Sequence, residues 1–498
     1  MIFERAAHIS PRVTYDVAII GGGINGTAIA REAARNGLSV ILFEKDDLAS
    51  HTSSASTKLI HGGLRYLEYF EFRLVREALK EREVLLRQAP HLIYPLQFVL
   101  PHEHAVRPWW LVRLGLWLYD TIGGRISLPR SRGLNARDHA FIAPLKSQRH
   151  KGFVYSDCWV DDSRLVVLNA LDAHKNGAAI ETRTAVTTAR RAGTQWQIQL
   201  ADGREIGARG LVNAAGPWVD QMLARTGVNS RAAVRLVKGS HIVVPRLFDG
   251  DHAYMLQQPD GRIVFAIAYE EGSTLVGTTD EQVERPEDAR ISAAEIDYLC
   301  AATNRYFVRQ TTPNDVIATF SGVRPLYDDG ASEAKAVTRD YVLELDESGP
   351  PLLSVFGGKI TTARHLAEDA VGKLAKAAGW RTHPATRQAI LPGGDLPSGF
   401  EAFLAEVRAR WPFLGDARSL RMARAYGSLL RDMLANITSE AAMGQDFGHG
   451  LTEVEVNWLI AHEWAQTAED VLDRRTKIGL TLSSKARKAL SDYLAARG

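Results

Sequence analysis

YDVAIIGGGINGTAIAREAARNGLSVILFE, residues 15–44, is the stretch from which the rest of the chain is read. An apolar run, Val17 to Ile20, enters Gly21-x-Gly23-x-x-Gly26. A helix-compatible segment follows, then a second apolar run, Val40 to Phe43, closed by Glu44. Each piece serves a dinucleotide. Gly21 permits a tight turn out of the strand, Gly23 lets backbone approach a pyrophosphate, and Gly26 lets the helix pack closely on the sheet. The helix start offers free N–H groups to phosphates, and Glu44, at the end of the second strand, can accept hydrogen bonds from a ribose. A glycine fingerprint alone is weak evidence; strand, turn, helix, strand and acidic terminator in register are not.

The bulk composition sets bounds. A chain of 498 residues, 45% hydrophobic and 24% charged, has the composition of an ordinary globular protein. Its length suggests about two to four domains. Sixty basic residues against 58 acidic ones leave a charge of +2, so nothing global argues for nucleic acid. Cys158 and Cys300 are far apart and fit neither a redox pair nor a zinc pattern, so no disulfide and no metal are expected, and a reducing compartment fits. The fingerprint starts so near residue 15 that no cleavable signal peptide is expected. No apolar run reaches the ~18 residues of a spanning helix. The expectation is a cytoplasmic protein, soluble or peripherally attached to the inner face of the membrane.

Patterning organises the remainder. Residues 45–70 read as a functional loop rich in Ser, Thr and Gly. Residues 71–90 carry a helical stripe of Leu74, Ala78, Leu79, Leu85 and Leu86. An element begins at Val154–Tyr155, and Arg164–Lys175 reads as helix. Residues 181–212 read as a meander turning at Asp202-Gly203. Short β-like runs recur over 233–280, as an antiparallel sheet requires, and two more fill 341–356, before a helix near Thr361. The segment LPGGDLPSGF, 391–400, reads as a linker to a helical C-terminal domain.

Further motifs, in order, are TSSASTKLIHGGLRYLE (52–68), EALKEREVLL (77–86), YSDCWVDDSRL (155–165), LVNAAGPWVD (211–220), VKGSHIVVP (237–245), GTTD (277–280), SGVRPL (321–326), TRDYVLE (338–344) and LLSVFGGKITTAR (352–364). Together they resemble the flavin-dependent glycerol-3-phosphate dehydrogenases, within the D-amino-acid-oxidase-like flavoproteins, over about residues 14 to 390. The resemblance implies an α/β fold: a Rossmann-like FAD-binding domain interleaved with an α+β substrate domain that contains an antiparallel sheet, plus a C-terminal all-α domain. The FAD-binding parts are placed at 1–90, 151–230 and 315–390, the substrate or cap parts at 91–150 and 231–314, and the helical domain at 391–498. Dispersal argues for FAD independently. Asn213-Ala214-Ala215-Gly216 and Gly357-Gly358 lie far from the fingerprint, as contacts to a long threaded cofactor would.

A flavin that oxidises a secondary alcohol needs a grip on the substrate, a proton acceptor and an aimed C–H bond. A phosphate monoester wants fixed guanidinium groups. Arg324 and Arg339 are the first choices, and the resemblance places both at the substrate. Read locally, each could instead be an exposed arginine paired with Asp328, Asp329 or Asp340. Lys359 follows two glycines at a helix start; the resemblance puts it in the active site, against the plainer reading of a solvated lysine. His241 is the most attractive general base, although isolated histidines are more often structural. Around the flavin ring the loop offers Thr52, Ser53 and Ser54 as hydrogen-bonding groups, Gly62 and Gly63 for close backbone approach, and His61 and Tyr66 as pocket residues, Tyr66 with a catalytic part. Gly216, Gly358 and Thr361 complete the cofactor contacts, while Trp218 is as well explained by packing.

Residues 107–125, RPWWLVRLGLWLYDTIGGR, interleave three tryptophans with Arg107, Arg113 and Arg125, and Arg130 and Arg132 follow. This suits either a peripheral membrane helix delivering electrons to quinone or a core helix of the substrate domain. The favoured activity is oxidation of sn-glycerol 3-phosphate to dihydroxyacetone phosphate with quinone as acceptor, in an enzyme that the resemblance implies is a homodimer. An oxidase using oxygen is the alternative, disfavoured by the lack of a long insertion in the first 390 residues. A silent flavin-binding redox sensor and an amine oxidase of the same fold complete the alternatives.

Overall fold

The computed structural model describes residues 14–105, 107–228, 234–327 and 340–497. Arg339 therefore lies outside the described residues, as do Asp328 and Asp329. The opening stretch folds as strand, turn and helix: β1 (Thr14–Ile20), α1 (Ile24–Arg35) and β2 (Val40–Phe43). β1 pairs in parallel with β2 on one side, Ile20 opposite Phe43, and with the strand Glu205–Asn213 on the other, Ile20 opposite Asn213. Ala179–Glu181 extends this sheet beyond β2, and Leu352–Phe356 extends it beyond Glu205–Asn213. With an antiparallel ribbon, 186–200, and the edge strand Val342–Asp346, the sheet has eight strands. Its central strands read as unbroken apolar runs because helices cover the sheet. Helix α1 is buried along most of its length against the helices Asp162–Lys175 and Ala363–Ala378. Arg31, 1% exposed, is tolerated there because its Nε reaches Asp172 at 2.6 Å.

A second sheet has ten strands. At its heart Val234–Pro245 pairs antiparallel with Ala318–Tyr327 along ten consecutive positions, His241 opposite Phe320 and Val237 opposite Arg324. Strands Gly152–Val160 and Ala318–Tyr327, assigned from the sequence to the FAD-binding parts, hydrogen-bond into this second sheet, through Ile93–Pro101 and Val234–Pro245. Local periodicity reports that a segment is a strand, but the partner is set by contacts distant in sequence.

The C-terminal region is helical, but 391–400 is not a loose linker. Leu391, Leu396 and Phe400 are buried in one core with Ile60, Leu85, Cys158 and Leu168 of the preceding region and with Val407, Met422 and Leu459 of the helices. Gly393 sits so tightly that an added Cβ would meet the carbonyl oxygen of Tyr426 at 2.3 Å. Proline and glycine here shape a packed crossing. Both cysteines are buried and free. Among the described residues no helix is long and apolar enough to cross a membrane.

The two remaining helices of interest are α2 (Phe72–Gln88) and α3 (Trp109–Ile122). The reading of α3 as a core helix fails. Only Leu116 and Tyr119 are buried, while Trp109, Trp110, Leu111, Leu114 and Trp117 are 38–66% exposed, beside exposed Tyr69, Phe70 and Phe72.

Candidate active site

Two cavities of about 750 and 350 Å³ lie where the two sheets meet, and both are lined by Ile24, Thr52, Ser53, Pro325, Gly357 and Gly358. They form one trench, from the end of β2 to the strands of the second sheet, at the C-terminal ends of parallel strands where open α/β sheets take ligands.

The smaller cavity is built by the fingerprint. Gly21 holds φ +115, and a Cβ there would lie 2.4 Å from the carbonyl oxygen of Ala214; a Cβ on Gly26 would lie 1.9 Å from Gly21 O. Only glycine allows strand, turn and helix to approach this closely. Gly23 and Gly216 line the wall. Glu44 does more than terminate β2. Its carboxylate accepts the N–H of Gly22 at 2.7 Å and of Asp46 at 2.9 Å, which fixes the glycine turn. Burial raises the carboxyl above its ordinary range, and those two N–H groups oppose the rise. Trp218 also lines this cavity, its ring 3.8 Å from Lys45 Nζ and its Nε1 donating to Glu287.

The larger cavity draws its wall from strand pairing. Side chains alternate along strands, so Val237, Gly239 and His241 share a face with Phe320, Gly322 and Arg324. Apart from Phe320, all of these line the cavity. Gly239 and Gly322 keep its floor open: a Cβ would meet Thr278 Oγ1 at 2.6 Å in one case and Ala55 Cβ at 3.0 Å in the other. On the opposite face Ser240 and Ser321 bond to each other, and Ser240 to Glu295, which also holds Lys238 at 2.8 Å.

His241 is 2% exposed. Its ring stacks on Phe320 with centroids 4.9 Å apart, its Nε2 is 3.0 Å from Thr57 Oγ1, and its Nδ1 is buried with no partner among the described residues. Burial, reinforced by the cations Lys58 and Arg324, pushes its pKa down to about 3. The imidazole is therefore neutral at physiological pH; to act as a base its pKa must rise, as an anion offsetting Lys58 and Arg324 would bring about. Arg324 pairs with Asp280, and Arg262 pairs with Asp260 at 2.7 Å in the same wall. Lys359 Nζ stands 4.1 Å above the Tyr66 ring, and Tyr66 is aimed by the left-handed turn at Gly63, φ +74.

Thr52, Ser53, His61, Tyr66, His241, Arg324, Gly358, Lys359 and Thr361 thus converge on one cavity, with Gly21, Gly23, Glu44 and Gly216 on the adjoining one. Thr52 donates to Val323 O at 2.7 Å, Ser53 accepts the N–H of Ile24 at 3.0 Å, and Thr361 Oγ1 accepts the N–H of His61 at 3.3 Å. Gly26, Ser54, Gly62 and Gly63 line neither cavity. Ser54 Oγ turns back to His51 O, and Gly62 donates its N–H to Tyr119 OH at 2.7 Å, with Leu79 where its Cβ would be. Gly62 answers to helix packing. Sequence reading passed over Asn25, Thr57, Asp260, Arg262 and Asp280. Glycines 239 and 322 inside strand patterns were a usable signal of close approach; nothing local marked the others.

The trench fits FAD. The glycine turn leaves no room for side chains, Glu44 lines the smaller cavity at the end of β2, and Asn25 Oδ1, in the same wall, is buried with no partner among the described residues. Residues 16–364 match the family described as FAD dependent oxidoreductase, and residues 384–496 match the C-terminal domain of alpha-glycerophosphate oxidase. The chain is 50% identical to the glycerol-3-phosphate dehydrogenase of Pseudomonas aeruginosa, covering 96% of this chain and 95% of that protein. It is 49% identical to the D-erythritol 1-phosphate dehydrogenase of Brucella abortus, over 96% and 97%. The structure of the glycerol-3-phosphate dehydrogenase from Bacillus halodurans complexed with FAD superposes with a TM-score of 0.73 at 26% identity, over 98% of this chain and 95% of that one.

Proposed function

This chain belongs to the FAD-dependent oxidoreductases, in their glycerol-3-phosphate dehydrogenase branch, and on that premise we propose that it oxidises sn-glycerol 3-phosphate to dihydroxyacetone phosphate and passes the electrons to a membrane quinone. The observation that carries the reading is the meeting of Arg324, Lys359 and neutral His241 in the cavity that continues the glycine trench. FAD bound in that trench supplies the hydride acceptor. The guanidinium of Arg324 and the ammonium of Lys359 hold the phosphate dianion, with Arg339 as a third cation. His241 takes the hydroxyl proton at Nε2 as the C–H bond breaks, the substrate hydroxyl displacing Thr57 Oγ1 from that nitrogen. Asp280 must yield part of Arg324 to the incoming phosphate.

The exposed apolar face of α3, with exposed Arg113, Arg125 and Arg130 close by in sequence, supports peripheral attachment to the inner face of an anionic membrane. A second substrate reading rests on the Brucella abortus relative: a four-carbon polyol phosphate would extend toward the Asp260–Arg262 pair. The C-terminal match to alpha-glycerophosphate oxidase keeps oxygen as the competing acceptor.

The test is anaerobic bleaching of the bound flavin by sn-glycerol 3-phosphate or D-erythritol 1-phosphate, followed by reoxidation. Rapid bleaching by the first, with recovery on quinone and little peroxide, is expected. Faster bleaching by the second moves the substrate, fast recovery in air with stoichiometric peroxide moves the acceptor, and no bleaching defeats both.

A further inference from the structure

A short segment of the C-terminal region, Asp470–Arg475 with Thr476 and Lys477, is tied to the loops that line the cofactor trench. Arg475 is fully buried and donates to both oxygens of Asp47 at 2.6 and 2.8 Å, and Arg474 Nε adds a third contact at 2.6 Å. Asp47 belongs to the turn that follows Glu44. That turn braces the fingerprint directly, because Ala49 donates its N–H to Gly22 O at 3.1 Å and Asp46 donates to Glu44. Asp470, also fully buried, accepts from Arg183 at 2.7 Å, and the backbone N–H of Arg183 reaches Asp46 O at 2.7 Å.

A second limb reaches the loop on the flavin side. Lys477 Nζ donates to Ser163 Oγ at 2.7 Å and stands 3.6 Å from Asp162. Asp162 is fully buried; it accepts the N–H and the hydroxyl of Ser56, and Lys58 Nζ at 2.9 Å. Lys58 in turn donates to Ser54 O and lies 5.0 Å from the Phe320 ring that backs His241. The loop so held presents Thr52, Ser53 and Thr57 to the trench. Charges this deeply buried persist only when paired, so both walls depend on the same C-terminal segment.

We propose that residues 470–477 act as a cofactor clamp, with Arg474, Arg475 and Lys477 as positioning residues that hold the post-Glu44 turn and loop 52–58 in the shape that retains FAD. The inference rests on the FAD site alone, so failure of the substrate assignment leaves it standing.

The measurement is the rate of FAD release from full-length holoenzyme on dilution, read as the rise in flavin fluorescence, with thermal midpoints in parallel. Lys477→Met and Arg474→Gln are expected to release FAD about tenfold faster or more, because loops held less firmly open more often around the bound cofactor, and Lys477→Arg to restore retention. Leu299→Ala opens a core of the second sheet that shares no residue with the clamp and controls for general destabilisation. Wild-type release in both clamp variants would overturn the proposal, as would equal acceleration in Leu299→Ala. If Lys477→Met does not fold, Arg474→Gln decides, since Arg474 remains 15% exposed.

Discussion

A Cβ placed on Gly239 would stand 3.2 Å from Nη2 of Arg324. The neighbouring strand thus leaves a gap of one methyl group so that the guanidinium can lie along the cavity wall. Gly239→Ala should displace the Arg324 fork and lower kcat/KM for the phosphate substrate by at least about tenfold, ~1.4 kcal/mol. Steady-state kinetics check this; unchanged kinetics would mean that Arg324 does not hold the substrate.

Asp280 competes for the same guanidinium. Arg324→Ala should raise KM roughly a hundredfold, about 2.7 kcal/mol, as loss of a charge-assisted fork predicts. Asp280→Asn should act in the opposite direction and lower KM, with kcat little changed. If Asp280→Asn raises KM, the carboxylate contacts substrate itself.

His241 and His91 are both buried, with pKa values pushed down to about 3, burial being the main cause in each. In the unfolded chain each titrates near 6.5, about its model-peptide value. Between those values the unfolded state binds more protons, so stability falls as pH drops through that window, by up to ~1.4 kcal/mol per pH unit for each histidine. His241→Asn and His91→Asn should each flatten the dependence of the urea midpoint on pH between pH 6 and 4, to either side of any baseline loss of stability. Parallel curves for variant and parent would show that neither histidine is held neutral.

Trp110 and Trp117 are 66% and 53% exposed. Trp110→Glu with Trp117→Glu should change folding stability by less than about 0.5 kcal/mol per site, while binding to anionic phospholipid vesicles weakens by about tenfold or more. Undiminished co-sedimentation with vesicles would remove α3 from the membrane reading.

The glycine fingerprint, the helix over 72–88, the meander and the antiparallel runs were legible because turn chemistry and side-chain period are local properties. Arg324, Lys359 and His241 were found as residue types in motif phrases, and the trench that joins them lies between sheets whose strands come from five separate stretches of chain.

What the amino-acid sequence determined by itself is the dinucleotide turn, since at Gly21 and Gly26 an added Cβ would strike backbone oxygens at 2.4 and 1.9 Å, and the kind of chemistry that cations, histidine and a flavin can perform. Tertiary structure alone decided which sheet receives Gly152–Val160 and Ala318–Tyr327, that Gly62 answers to Tyr119 and Leu79, that α3 turns its tryptophans outward, and that Arg475 and Lys477 close on Asp47 and Asp162. Strand partners, buried ion pairs and the facing of an amphipathic helix depend on residues hundreds of positions apart meeting in space, and no window of sequence carries that information.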